Sequence, residues 1–130
     1  MIVDSSALVA ILLGEPETLS LAETLNAAES ISISAGTFVE LSIVIDKRKN
    51  PALSNQIEEI LERYGIYVEP VTADQARIAR QAYRDFGKGS GHRANLNFGD
   101  CFAYALARAK REPLLYKGDD FVHTDVRSAT

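Results

Sequence analysis

The chain has 130 residues, of which 46% are hydrophobic and 25% are charged, and these values predict one globular domain over residues 1–130 with a single core. No run of 18 apolar residues occurs, which argues against a membrane-spanning helix. The apolar N-terminus is interrupted by Asp4 and has no basic flank, which argues against a secretory signal. We therefore expect a cytoplasmic protein. The net charge of -4 argues against binding nucleic acid by charge alone, and the single Cys101 excludes an intramolecular disulfide and a cysteine-rich zinc site.

The predicted strands and helices alternate along the chain. Hydrophobic patterns predict strands at residues 1–3, 31–34, 66–71 and 114–116, with a further edge strand near Val126. Helices are predicted to begin near residues 5, 16, 36, 51, 73 and 98, and Asn50 and Thr72 have the sequence context of helix caps. This alternation implies a parallel sheet of four to five strands with helices on both faces. In such sheets, ligands bind beyond the carboxyl ends of the strands.

Three aspartates follow predicted strands. Asp4 comes directly after the first strand, and Asp119 and Asp120 follow the strand at 114–116 after a two-residue turn. If these strands are parallel, the three carboxylates lie at one edge of the sheet. Asp100 opens a predicted helix, where the helix dipole favours a carboxylate. Taken singly, Asp4 and Asp100 also fit plain helix caps, and Asp119 with Asp120 also fits a solvated turn.

Glu40 lies in the predicted helix TFVELSIVI, which is apolar on nearly every side. Such a helix is expected to be largely buried, and an ionised carboxylate inside it costs several kcal/mol unless it is paired or metal-bound. No Lys or Arg lies within six residues of Glu40. Three interpretations stay open, namely a bound cation, an Arg from far along the chain, and an exposed strip on the helix.

Several acids that converge without local bases repel one another, and a divalent cation offsets that repulsion. Mg²⁺ and Mn²⁺ prefer oxygen ligands and keep waters, so a cluster of Asp and Glu suits them. A metal held in this way polarises a phosphoryl oxygen and lowers the pKa of a bound water, as phosphodiester hydrolysis requires. Ser6, two residues beyond Asp4, is a candidate for orienting a carboxylate or a metal-bound water, and it fits a helix-capping role equally well.

A locally basic segment runs from Arg77 to Arg93 in this otherwise acidic chain. Arg84, Lys88 and Arg93 are candidates in it for binding the phosphates of a nucleic acid such as RNA, because lysine and arginine contact phosphates. Arg77 and Arg84 recur at helical spacing, so the solvated face of a helix explains them equally well.

Together these residues resemble the PIN domain, and within that family the VapC-type toxins of bacterial toxin–antitoxin pairs. The resemblance covers nearly the whole chain and is carried by IVDSSALVAIL, by the Glu of FVELSIVI, by HRANLNFGDCFAYALA and by LLYKGDDF. No one of these segments is decisive, but their order and separations in a chain of this size are fairly specific for the family.

The resemblance implies a three-layer α/β/α sandwich and Mg²⁺- or Mn²⁺-dependent endoribonuclease activity on structured RNA such as tRNA or rRNA. It also implies a homodimer that is neutralised by a cognate VapB-type antitoxin. Asp4, Glu40 and Asp100 match the acidic positions of the family. For the fourth acid we favour Asp120, because the Asp-Phe pair in DDF looks like the terminal Asp-Phe pair of the family, and Asp119 is then expected beside the site as a supporting residue.

Two rival interpretations start from the same acids. A response-regulator receiver is also a small parallel α/β unit, but its phosphorylated Asp follows a middle strand. The strands predicted at 31–34 and 66–71 are followed by Ala35-Gly36 and Thr72-Ala73, which argues against a receiver. A non-catalytic RNA- or protein-binding module on the same fold is the stronger alternative, and RNA cleavage that EDTA abolishes would separate it from an enzyme.

Overall fold

A computed structural model describes all 130 residues, with four strands and six helices in alternation. The strands are β1 (Ile2–Val3), β2 (Ile31–Ser34), β3 (Ile66–Glu69) and β4 (Leu114–Leu115). The helices are α1 (Ser5–Leu12), α2 (Thr18–Ala27), α3 (Ala35–Asp46), α4 (Pro51–Tyr64), α5 (Ala73–Phe86) and α6 (Asp100–Lys110). All strands pair in parallel in the order β3-β2-β1-β4, which confirms the predicted sheet. None of the helices has the length and apolar content needed to span a bilayer.

Hydrophobic side chains pack on both faces of this sheet. Successive residues of a strand point to opposite faces, and accordingly Ile2 and Leu114 belong to one buried cluster and Val3 and Leu115 to the other. Helices α1 to α4 supply the cluster around Val3, and α5 and α6 supply the cluster around Ile2. The three-layer α/β/α arrangement that the resemblance implied is therefore confirmed.

Local hydrogen bonds account for where several helices begin. The Asn50 side chain accepts a hydrogen bond from the backbone N–H of Leu53 at 3.2 Å, and a proline occupies the first turn of α4. The Thr72 hydroxyl accepts one from the backbone N–H of Gln75 at 3.1 Å. Both contacts satisfy N–H groups that lack partners at a helix start, and both caps agree with the sequence prediction.

Several predicted strand bounds differ from the structure. Strand β1 begins at Ile2 rather than at residue 1, and β4 ends at Leu115 rather than at residue 116. Strand β3 ends at Glu69 rather than at residue 71, because Pro70 follows and has no N–H to donate to a neighbouring strand. The edge strand expected near Val126 is reduced to an isolated bridge between Leu114 and Ser128. The central sheet therefore has four strands, the lower of the two numbers predicted.

Candidate active site

The strand order creates a switch point between β1 and β4. From β1 the chain continues to β2 and then β3 on one side, while β4 lies on the other side. Because all four strands are parallel, their carboxyl ends share one edge, which is where open α/β sheets bind ligands. Asp4 follows β1 directly, and Asp119 and Asp120 lie in the segment after β4. The structure thus places these three aspartates at the edge that the sequence predicted.

Asp4 is nearly inaccessible, with 2% of its surface exposed. Its Oδ2 accepts a hydrogen bond from the backbone N–H of Ser6 at 3.0 Å and so caps α1, whereas its Oδ1 is buried and has no hydrogen-bond partner. Burial raises the pKa of Asp4 to about 6; hydrogen bonds from Ser6 oppose this rise, and the charge of Glu40 adds to it. The capping role therefore occupies only one of the two oxygens.

Asp100 is the first residue of α6, and 6% of its surface is exposed. Its Oδ2 accepts a hydrogen bond from the backbone N–H of Asn97 at 3.0 Å, and the Asn97 Oδ1 accepts one from the backbone N–H of Asp100 at 2.9 Å. Burial raises the pKa of Asp100 to about 7; the Asn97 bond opposes this rise, and the charges of Asp4, Asp120 and Glu40 increase it. The structure therefore brings these four carboxylates into one electrostatic cluster.

Helix α3 is not buried on every side, so the prediction for the surroundings of Glu40 is wrong in part. Val39 and Ile43 are 54% and 49% exposed, and Glu40 itself is half-buried. The helix packs against α1, α4 and α6, and its fully buried residues recur at four-residue spacing, since such residues lie on one side of a helix. The buried residues of α3 are Thr37, Leu41 and Ile45.

The Glu40 carboxylate points inward to the cluster in spite of this exposure. The Ser5 hydroxyl donates a hydrogen bond to Glu40 Oε1 at 2.7 Å. The other oxygen lies against Gly99, where a Cβ atom would stand 1.6 Å from Glu40 Oε2. Of the three interpretations left open, a distant Arg is excluded, because Glu40 forms no ion pair.

The donor chemistry of the cluster fits a hard divalent cation. None of the four clustered carboxylates forms an ion pair with a basic group. No three potential ligands already stand at coordination geometry, but Mg²⁺ is commonly held by one or two carboxylates and retains several waters. The unpartnered Oδ1 of Asp4 and the mutual repulsion within the cluster are the features that a cation would relieve.

The segment after β4 is fastened to α1 and to the core. The Ser6 hydroxyl accepts a hydrogen bond from the backbone N–H of Lys117 at 3.0 Å, and the Lys117 ammonium forms ion pairs with two glutamates of the α1–α2 turn, Glu15 and Glu17. Phe121, 2% exposed, anchors the other end of the segment. Asp119 and Asp120 between these anchors are both exposed, and only Asp120 is among the acids whose charge raises the pKa of Asp100.

The candidate RNA-binding residues lie on the segment that leads into α6. Arg84 is in the last turn of α5, and Lys88 and Arg93 follow in the loop before Asp100. All three side chains are exposed, and none forms an ion pair. The base of the loop is fixed, because the backbone N–H of Lys88 donates to Leu96 O at 2.8 Å. Their RNA contact stays a prediction.

Three supporting residues were not predicted from the sequence, namely Ser5, Asn97 and Gly99. The contact between Asn97 and Asp100 could have been predicted, because an Asn three residues before an acid resembles a capping box. Ser5 and Gly99 contact Glu40 from other elements, and nothing in the local sequence indicates those contacts.

Comparison with known protein families matches residues 1–127 to the PIN domain. The chain belongs to the PIN-domain family. This PIN domain is 52% identical over 129 residues to Ribonuclease VapC42 of Mycobacterium tuberculosis, a match that covers 99% of this chain and 98% of that protein. It is 42% identical to Ribonuclease VapC30 of the same organism, over 97% of this chain and 95% of that protein. The VapC-type membership that the sequence motifs implied is confirmed.

Solved structures confirm the fold of this PIN domain. The crystal structure of Mycobacterium tuberculosis VapC20, a sarcin-ricin loop cleaving toxin, matches with a TM-score of 0.73 at 20% identity and covers 97% of this chain and 98% of that chain. A toxin–antitoxin complex from Klebsiella pneumoniae matches with a TM-score of 0.72 at 17% identity, over 95% of this chain and 92% of that chain.

Proposed function

We propose that this VapC-type PIN domain is a Mg²⁺- or Mn²⁺-dependent endoribonuclease and the toxin of a toxin–antitoxin pair. The observation that carries the proposal is the cluster of Asp4, Glu40, Asp100 and Asp120 at the switch point of the sheet without a basic partner. The 52% identity to a named ribonuclease supports the same activity. The substrate we propose is structured RNA, such as tRNA or rRNA, cleaved to a 5′-phosphate and a 3′-hydroxyl.

The four acids would hold the metal, which when bound supplies a polarised phosphoryl oxygen and a water of lowered pKa. Asp4 offers the oxygen that the helix cap leaves free, and Asn97 fixes the orientation of Asp100 through a reciprocal pair of hydrogen bonds. Asp120 approaches from the exposed segment after β4, where an RNA phosphate can reach it. Ser6 holds that segment to α1 through the backbone of Lys117.

Binding of RNA by a chain with a net charge of -4 requires a local basic surface. We assign this role to Arg84, Lys88 and Arg93, which are exposed, free of ion pairs and connected directly to the start of α6. The solved relative VapC20 is a sarcin-ricin loop cleaving toxin, and this supports a structured target for the present chain.

The proposed partners are a cognate VapB-type antitoxin and a second copy of the chain. The Klebsiella relative was solved as a toxin–antitoxin complex, which supports the antitoxin. An exposed apolar surface supports the homodimer, since Val39 and Ile43 lie one turn apart on α3 and Phe98 is 74% exposed. An RNA target of this kind places the proposed site of action in the cytoplasm.

The decisive experiment is cleavage of a structured RNA by the purified protein in Mg²⁺ or Mn²⁺, followed by EDTA and then by restored metal. We expect EDTA to abolish cleavage and added metal to restore it. Asp4→Asn keeps an acceptor for the helix cap but removes a negative ligand, so it should lose cleavage and retain antitoxin binding. A protein that binds RNA and never cleaves it under these conditions would be the non-catalytic module.

A further inference from the structure

The Glu40 carboxylate lies against two residues that are not acids. Ser5 donates a hydrogen bond to one oxygen at 2.7 Å, and the other oxygen occupies the space that a side chain at Gly99 would fill. We infer that Ser5 and Gly99 are positioning residues that hold Glu40 toward the proposed metal site. The inference rests on the proposed function for its consequence in catalysis, whereas the contacts themselves do not depend on it.

Glu40 needs such support more than the buried acids Asp4 and Asp100 do. Asp4 and Asp100 each accept a hydrogen bond from a backbone N–H, of Ser6 and Asn97 respectively, and both carboxylates are nearly inaccessible. Glu40 has a longer side chain on a half-exposed helix, and the Ser5 hydroxyl is its only hydrogen-bond donor. A long side chain loses more rotamer freedom when it is fixed, so a specific contact is required to hold it in one orientation.

The Ser5 hydroxyl bonds to a residue outside its own helix. A serine in the first turn commonly bonds to a nearby backbone group, but the Ser5 hydroxyl instead donates to Glu40, on a different helix. Ser5 is 8% exposed, so water has little access to this contact. The bond joins the helix that follows β1 to α3 at the point where the acids converge.

Gly99 is required by space rather than by backbone conformation. Its φ of -63° and ψ of -39° are ordinary helical values that alanine adopts freely. A Cβ there would lie 1.6 Å from Glu40 Oε2 and 2.4 Å from the carboxylate carbon, both far inside contact distance. Any side chain at this position would therefore displace the Glu40 carboxylate or the start of α6.

The experiment combines Mn²⁺ affinity with a double-mutant cycle of unfolding free energies on the full chain. Ser5→Ala, Ser5→Thr and Gly99→Ala are made in the native background and in Glu40→Ala. Ser42→Ala is the matched control, because Ser42 is on the same helix as Glu40 but its hydroxyl bonds to the backbone of Phe38. Mn²⁺ dissociation constants and chemical unfolding without metal are measured for each variant.

We expect Ser5→Ala and Gly99→Ala to weaken Mn²⁺ binding about tenfold, since residues that orient metal ligands have effects of that order. Ser5→Thr keeps the hydroxyl and should keep near-native affinity, and Ser42→Ala should not change it. In the metal-free cycle, Gly99→Ala should be less favourable for folding in the native background than in Glu40→Ala, because the Glu40 carboxylate must move aside in the first and is absent from the second. In the Glu40→Ala background, alanine at this helical conformation should be neutral or stabilising. In RNA cleavage, kcat should fall more than KM rises.

Native Mn²⁺ affinity in either Ser5→Ala or Gly99→Ala would overturn the inference for that residue, as would an equal change of unfolding free energy on Gly99→Ala in the two backgrounds. If the native protein itself binds no Mn²⁺, the proposed function fails. The metal-free cycle then still decides whether Ser5 and Gly99 are coupled to the Glu40 carboxylate, so the two failures are distinguishable.

Discussion

Replacement of Asp100 by Asn should flatten the pH dependence of stability in the metal-free protein. Burial, with added repulsion from three acids, raises the pKa of Asp100 from its ordinary value of 3.8 to about 7 in the folded state. Between these two values the folded protein keeps a proton that the unfolded chain has lost. The contribution of Asp100 to stability is therefore most favourable at low pH and falls as the pH rises toward 7.

The size of this effect follows from the pKa difference. Each pH unit well inside the window corresponds to about 1.4 kcal/mol. Because Asp100 is already half deprotonated at pH 7, a rise from pH 5 to pH 7 costs about 2 kcal/mol through Asp100 alone. Asp4, with a pKa raised to about 6, acts in the same direction up to that pH. Asn at position 100 carries no charge and retains an oxygen to accept the hydrogen bond from Asn97, so it should remove the Asp100 part of the loss.

The assay is urea unfolding with EDTA at several pH values from 5 to 8, repeated with Mn²⁺ in place of EDTA. Asp46→Asn, at an exposed acid that ends α3, is the matched control and should leave the slope unchanged. Mn²⁺ should stabilise the native protein most at pH 8, because a bound cation replaces the protons that the acids lose, and should stabilise Asp100→Asn much less. A slope of unfolding free energy against pH that is equal in the native protein and in Asp100→Asn would refute this reasoning.

Two further predictions concern the fourth acid and the RNA surface. Asp120→Asn should reduce cleavage and Mn²⁺ affinity more than Asp119→Asn does, since only Asp120 is among the acids that raise the pKa of Asp100; a larger loss at Asp119 would reverse the assignment. Combined replacement of Arg84, Lys88 and Arg93 by Ala should weaken RNA binding. It should also make the slope of log binding constant against log salt concentration shallower by about 2 to 3. A slope equal to that of the native protein would show that RNA binds elsewhere on the surface.

Strands and helices were predicted correctly where the sequence shows a regular hydrophobic alternation or a helix-capping residue. The alternation in Ile31–Ser34 predicted β2 with its observed bounds, and Asn50-Pro51 predicted the start of α4. The end of β3 was set too late because the effect of Pro70 was overlooked, whereas the error near Val126 concerns pairing with a neighbouring element. The segment near Val126 has one bridge to Leu114 instead of a strand, and such pairing depends on tertiary contacts that a local pattern does not contain.

The positions of the candidate acids in the fold could be predicted from the sequence, but the residues that contact them could be predicted only in part. Parallel strands bring Asp4 and the acids after β4 to one edge as a matter of topology, so their positions in the sequence were sufficient. Glu40 was noticed because it lacked a basic neighbour, although its helix is more exposed than its composition suggested. The contacts from Ser5 and Gly99 join residues that are far apart in sequence, and a single sequence does not contain that information.

Asp4 shows why a capping role is not a sufficient account of the cluster. A cap requires one side-chain oxygen, and Ser or Asn serves as well at this position of a helix. Asp4 instead carries a second oxygen that is buried without a partner, beside Glu40 and Asp100, and burial raises its pKa to about 6. Near neutral pH this arrangement destabilises the metal-free fold, because ionised carboxylates are then held close together away from water. A chain selected only for stability would not keep it, whereas a site that must receive a hard cation requires unpaired carboxylate oxygens of this kind.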